Sequence, residues 1–141
     1  MSITAAECKK RALEWYEYFW IFDPENPEHL ALVNPDIKYR VDHNVYEGVA
    51  GIATVLKMAK FLYPTGQTRN ITSAIAEGNE AALEITVTAV TNKGVDYENF
   101  YGVHFKFDDE GRIVEIFEHP DSVYCQEMFS YDGFMEYMAQ P

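Results

Sequence analysis

The chain is poor in cysteine and in positive charge. Its two cysteines, Cys8 and Cys125, stand far apart, and neither belongs to a Cys-x-x-Cys or a mixed Cys/His cluster. That spacing excludes a disulfide-stapled scaffold and a cysteine-based zinc site, and predicts two free thiols with structural roles in a reducing, cytoplasmic setting. Eleven Lys and Arg face 23 Asp and Glu, a net charge of −12. No basic patch exists to displace counterions from a phosphate backbone or to meet anionic lipid, so nucleic acid and membrane are not expected as partners. An anionic small molecule would need local help from Arg40 or Arg69. No apolar run reaches the ~18 residues of a membrane span. The start, Met1 to Glu7, lacks a positive stretch followed by an apolar one, so no signal peptide is predicted. Glycine-rich phosphate loops, His-x-His pairs and nucleophile-elbow surroundings for Ser73 or Ser122 are also missing. Neither a metal, nor an organic cofactor, nor covalent catalysis is expected.

What the chain does have is aromatic side chains, ten Tyr and nine Phe among 141 residues. That many rings suggest a lined cavity or an adhesive surface in addition to a core. The length suits one domain over residues 1–141.

Thr4-Ala-Ala-Glu7 reads as a capping box opening a helix that runs to about Phe22, with Ala12, Trp15, Tyr16, Phe19 and Phe22 in one stripe. Asp23 to Pro27 stops it. A short helix over Glu28 to Val33, a turn at Asn34-Pro-Asp36 and a strand from Ile37 to His43 follow. Tyr46-Glu-Gly48 reads as a loop and Gly51 to Tyr63 as a third helix. Arg69–Glu77, Ala81–Thr91 and Asp96–Phe107 are three strands joined by turns at Gly78-Asn79 and Asn92-Lys-Gly94. Asp108 to Gly111 turns into a last strand, in which Ile116, Glu118 and Pro120 share one face and Glu115, Phe117 and His119 the other. The tail from Ser122 is aromatic, Met-rich and partly helical. Three helices followed by a largely antiparallel meander make an α+β domain.

That order resembles the nuclear transport factor 2-like superfamily, and within it the SnoaL-like and ketosteroid-isomerase-like small proteins. The resemblance is carried by Leu30 to Asp36, Tyr46 to Ile52, Gly78 to Thr86, Tyr97 to Tyr101, His104 to Phe107 and Gly111 to Asp121, and spans nearly the whole chain. It implies a cone-shaped curved antiparallel sheet wrapped around three N-terminal helices, with a deep apolar pocket on its inner face. It implies no one reaction, since a fold hosts many. The general-base Asp and second acid of the steroid isomerases have no counterpart, because the matching positions are Val41, Asp42 and His43 in the first strand and Val103 in the third long one. An inward Glu paired with a His instead looks like relatives that act on phenazine precursors, polyketides or terpenoid intermediates.

On that pattern Glu118 and His43 form the expected acid/base pair, with Tyr39 or Tyr101 polarising a carbonyl. An acid against an apolar wall resists ionising and can exchange protons near neutral pH. Trp15, Tyr16, Phe19, Val41, Met58, Leu62, Val87, Asn99, Val103, Ile116 and Asp121 are the expected substrate-binding residues, Asn99 as an orienter of Glu118 or of a ligand and Asp121 at the mouth or as a helix cap. The expected function is a cofactor-independent isomerase, dehydratase or cyclase for an apolar or aromatic small molecule. The alternatives are a non-catalytic binding protein and an interaction module using the outer sheet face. The resemblance also implies a homodimer through that face (Glu84, Thr86, Thr88, His104, Lys106, Phe117), and the tail, Tyr124 to Met138, is a candidate lid.

Overall fold

Thr4 closes the start of the first helix as its sequence position predicts, its hydroxyl accepting from the Glu7 amide at 3.2 Å. Glu7 does not complete the box; its carboxylate turns along the helix to Arg11, 3.8 Å away. The computed structural model describes residues 2–141. Helix α1 spans Ala5–Tyr18 and tightens into a 3-10 turn at Phe19–Ile21, ahead of the prolines. Helix α2 is only Pro27–Leu30, capped by Asn26.

Strand β1 is Val33–Val41, so the expected turn at Asn34-Pro-Asp36 lies inside a strand. Pro35 is tolerated there because pairing with β6 (Ile113–His119) is irregular between Val33 and Lys38, leaving no ladder bond for proline to break. The expected loop at Tyr46 is a second short strand, β2 (Asn44–Glu47), folded back on β1 through Asp42 and His43. Helix α3 (Gly48–Leu62) follows without a loop, and its first turn lies against β2 so closely that a Cβ on Gly51 would meet the Tyr46 carbonyl carbon at 2.6 Å. Strands β3 (Gln67–Glu77), β4 (Glu80–Val90) and β5 (Asp96–Phe107) form the long meander.

The sheet order is β2-β1-β6-β5-β4-β3. All pairings are antiparallel except that of β1 with β6, which is parallel. Pairing shifts between Ile71 and Ser73 and between Lys106 and Phe107; such bulges bend strands, and here accompany the curl of the sheet around α1 and α3. Inner-face side chains (Tyr39, Leu83, Ile85, Val87, Val103, Phe105, Ile116) join Trp15, Phe19 and Phe22 of the first helical segment and Ile52, Val55 and Leu56 of α3 in one continuous core. Two short helices, α4 (Ser122–Met128) and α5 (Phe134–Met138), lie across the open end.

Candidate active site

A cavity of about 380 Å³ opens between the inner face of the sheet, the two long helices and the C-terminal segment. Its walls are mostly apolar: Phe19, Val41, Val55, Met58, Leu62, Ile85, Val87 and Val103. Two hydrogen-bonded clusters of polar groups reach it.

The first cluster is built on Glu118. Alternation along β6 places Glu118 on the inner face, beside Val41 of β1 and Val103 of β5. Its Oε1 accepts a 2.5 Å hydrogen bond from Tyr39 and a longer one, 3.5 Å, from Tyr16. Burial pushes the carboxyl above the usual carboxylate range. The Tyr39 hydrogen bond, the nearby Arg69 charge and the Tyr16 hydrogen bond pull it back without cancelling that push, and Asp42 adds a smaller upward one. Burial and the negative neighbour also hold Tyr16 and Tyr39 far above the ordinary phenol value, so both remain protonated donors. Arg69 enters from the inner face of β3, opposite Val87.

The second cluster is a chain of hydroxyls. Tyr101 lies between Tyr63 at 3.1 Å and Tyr97 at 3.0 Å, and Tyr97 continues to Cys125 Sγ at 3.3 Å. Burial pushes Tyr63 up to about 12 and raises the Cys125 thiol, so neither is ionised at neutral pH.

The structure brings Glu118, Tyr16, Phe19, Val41, Met58, Leu62, Val87, Tyr101 and Val103 to one cavity. It does not bring His43. Strand β1 ends at Val41, and Asp42 adopts a left-handed φ of 52° in the tight turn to β2. Strand alternation therefore does not carry through to His43, which is exposed in the turn and off the cavity wall. Asp42 instead reaches the cavity rim and accepts from Ser122 at 2.8 Å.

Four expected binding residues also lie elsewhere. Trp15 is buried against Phe19 and Phe22, and Ile116 is fully enclosed beneath Tyr39. Asn99 does not reach Glu118; its amide donates to Tyr97, the Asp121 carbonyl and Cys125, tying β5 to the start of α4. Asp121 is the cap of α4, accepting from the Tyr124 amide at 3.1 Å. Tyr39 stands behind the wall with its hydroxyl bonded to Glu118, and is not placed to meet a ligand carbonyl as expected.

Gln67, Arg69 and Tyr63 line the cavity without having been expected there, and so do Phe129, Tyr131 and Phe134, which fall within the segment expected as a candidate lid. The last three come from the tail, which Asn92 holds by reciprocal bonds to Ser130 at 2.7 and 2.8 Å. Lys57 adds bonds to the Met138 and Gln140 carbonyls, and Phe61 packs on Phe134 and Tyr137.

The SnoaL-like domain model matches residues 12–116. The chain belongs to the SnoaL-like family. Solved structures carry the same fold. A putative SnoaL-like polyketide cyclase from Jannaschia sp. CCS1 superposes with a TM-score of 0.76 at 12% identity, covering 100% of this SnoaL-like chain and 98% of that one. TerC, co-crystallised with polyporic acid, gives 0.72 at 19% identity over 86% and 97%. A putative ketosteroid isomerase from Kribbella flavida gives 0.62 at 17% identity over 81% and 77%. A search of curated proteins finds no match to the sequence. At these identities the likeness fixes the nuclear transport factor 2-like fold and leaves the chemistry to the site. Among the described residues no group of three or more His, Cys, Asp or Glu could hold a metal ion, and no helix is long and apolar enough to cross a membrane.

Proposed function

We propose that this chain is a single-domain enzyme that moves protons on an apolar or aromatic small molecule without a cofactor, as an isomerase, dehydratase or cyclase does. One observation carries the reading: a buried carboxyl, Glu118, faces an apolar cavity with Tyr39 donating to it at 2.5 Å and Tyr16 at 3.5 Å. As carboxylate, Glu118 takes a proton from a carbon next to a carbonyl. As acid, it returns that proton to another carbon or to a departing hydroxyl. Tyr39 holds the carboxylate in position. Tyr16, more loosely bound, can turn its hydroxyl toward the ligand. The raised pKa moves the carboxyl toward the range in which a group both takes up and returns a proton. Val87, Val103, Met58 and Leu62 exclude water, and the named relatives, a polyketide cyclase and a ketosteroid isomerase, suit a carbon-acid substrate.

The test is solvent deuterium incorporation into 2-tetralone, a small aromatic ketone with acidic α-protons, followed by proton NMR. Wild-type protein should speed exchange and Glu118→Gln should not; equal rates with both proteins would sink the reading. The Tyr39 bond also favours a second reading, a non-catalytic binding protein in which Glu118 is a fixed recognition group. In that case Glu118→Gln alters ligand affinity and stability, and neither protein exchanges 2-tetralone.

Two free thiols suit a cytoplasmic setting. The outer sheet face, with Phe100 and Ile75 exposed beside the Glu80–His104–Lys106 charge cluster, suits pairing with a second copy of the chain.

A further inference from the structure

Arg69 is the one cation on the cavity wall among the described residues. It differs from the other three arginines of the chain. Arg11 pairs with Glu7 and the Gly111 carbonyl, Arg40 with Glu115, and Arg112 with Asp108 and Glu110. No described carboxylate pairs with Arg69. Its guanidinium lies against three rings, with Cζ 4.8 Å from the centre of Phe19, 5.1 Å from Tyr16 and 6.0 Å from Trp20. Stacking fixes the plane of a guanidinium and leaves its N–H fork available at the edge. Nη2 is buried and has no hydrogen-bond partner. A buried charged donor without an acceptor is costly, and such gaps call for an explanation. Glu118 does not fill the gap: its charge is felt by Arg69 from nearby, but no ion pair joins the two.

We infer that the cavity takes an acidic organic molecule, an apolar or aromatic body bearing a carboxylate or enolate oxygen, and that the Arg69 guanidinium holds that oxygen. This inference rests on the reading of the cavity as the site of function, but not on Glu118 being a catalyst. The protein's net charge of −12 works against an anion everywhere except beside such a cation. The body of the ligand lies along Val87, Val103, Met58 and Leu62, with the far hydroxyl chain at Tyr101 open to a second oxygen. Arg69 pairs with Val87 of β4 and Tyr101 with Ile85 of the same strand, so the two polar ends lie two strands apart and two residues out of register, about 10 Å across the sheet and about 7 Å along it.

The probe is a matched pair, 2-naphthoate and 2-naphthamide, which share a ring and differ in charge. Calorimetry at neutral pH should show wild type binding naphthoate about ten- to a hundredfold more tightly, the worth of a charge-assisted hydrogen bond. Arg69→Met should lose that preference while keeping its affinity for naphthamide. Arg69→Gln should behave alike and decides the matter if the Met variant does not fold. Equal binding of the two probes by wild type, binding of neither, or a preference that survives in folded Arg69→Met or Arg69→Gln overturns the proposal. Glu118→Gln separates the two claims. If it keeps the naphthoate preference, anion recognition by Arg69 stands even where the exchange test denies Glu118 a catalytic role.

Discussion

Replacing Tyr39 by Phe removes one oxygen and no ring, so the resulting change reports on the Glu118 bond and not on packing. Tyr39 is fully buried and its hydroxyl has Glu118 as its hydrogen-bond partner at 2.5 Å. A hydrogen bond to a charged group is worth about 1.5–3 kcal/mol, and a neutral one about 0.5–1.5. Because the bond is stronger to the carboxylate than to the neutral acid, losing it should raise the Glu118 pKa further. The sign for stability follows. Burial already raises the Glu118 pKa, so low pH favours its neutral form, from which Tyr39→Phe removes only a neutral bond. As pH rises through the folded value the carboxylate forms, and the variant has lost its strongest donor. Urea unfolding should therefore show the substitution costing about 1–2 kcal/mol more at pH 8.5 than at pH 4.5. Carbon-13 titration of the Glu118 carboxyl should show its midpoint moving up. An equal cost at both pH values, or a midpoint that stays or falls, would refute the reasoning.

Three further outcomes follow from the same geometry. Glu118→Gln removes a group whose folded value is raised. The folded state binds that proton more tightly than the unfolded one, so wild-type stability falls as pH rises from ~4.3 through the folded value, and the variant should lack that fall in chemical denaturation. Gly51→Ala places a Cβ 2.6 Å from the Tyr46 carbonyl carbon and should cost about 1–3 kcal/mol of overpacking strain, seen as a lower thermal midpoint. Phe100→Asp on the outer sheet face should shift a dimer to monomer in size-exclusion chromatography with light scattering and leave the cavity intact; an unchanged mass of two chains would place the contact elsewhere.

The parts of the site legible in the sequence were those set by unbroken alternation. Parity along β6 placed Glu118 inward, and parity along β5 placed Tyr101 and Val103 on the same face, because no bulge lies between them. His43 was misread because parity ends where a strand ends. The two-residue turn at Asp42 and His43 follows Val41, and the short β2 offers too few residues for alternation to announce it. Arg69 was legible only as a possible anion partner, not as a wall residue. The strand was expected to start only at Arg69 with no face assigned, and the bulge between Ile71 and Ser73 switches the parity that Ile71 and Ile75 suggest, leaving Ile75 exposed. The aromatic tail was legible as a candidate lid, but what holds it, such as the bonds between Asn92 and Ser130, is long-range and no local pattern encodes it.

The most direct measurement of the central claim is the pH profile of 2-tetralone deuterium exchange in wild type, Glu118→Gln and His43→Ala. The account predicts a wild-type rate that rises with pH through a midpoint above the ordinary carboxylate range. It predicts the same profile in His43→Ala, whose side chain lies outside the cavity, and no protein-dependent exchange in Glu118→Gln. Exchange that survives in Glu118→Gln, or that is lost in His43→Ala, would contradict it.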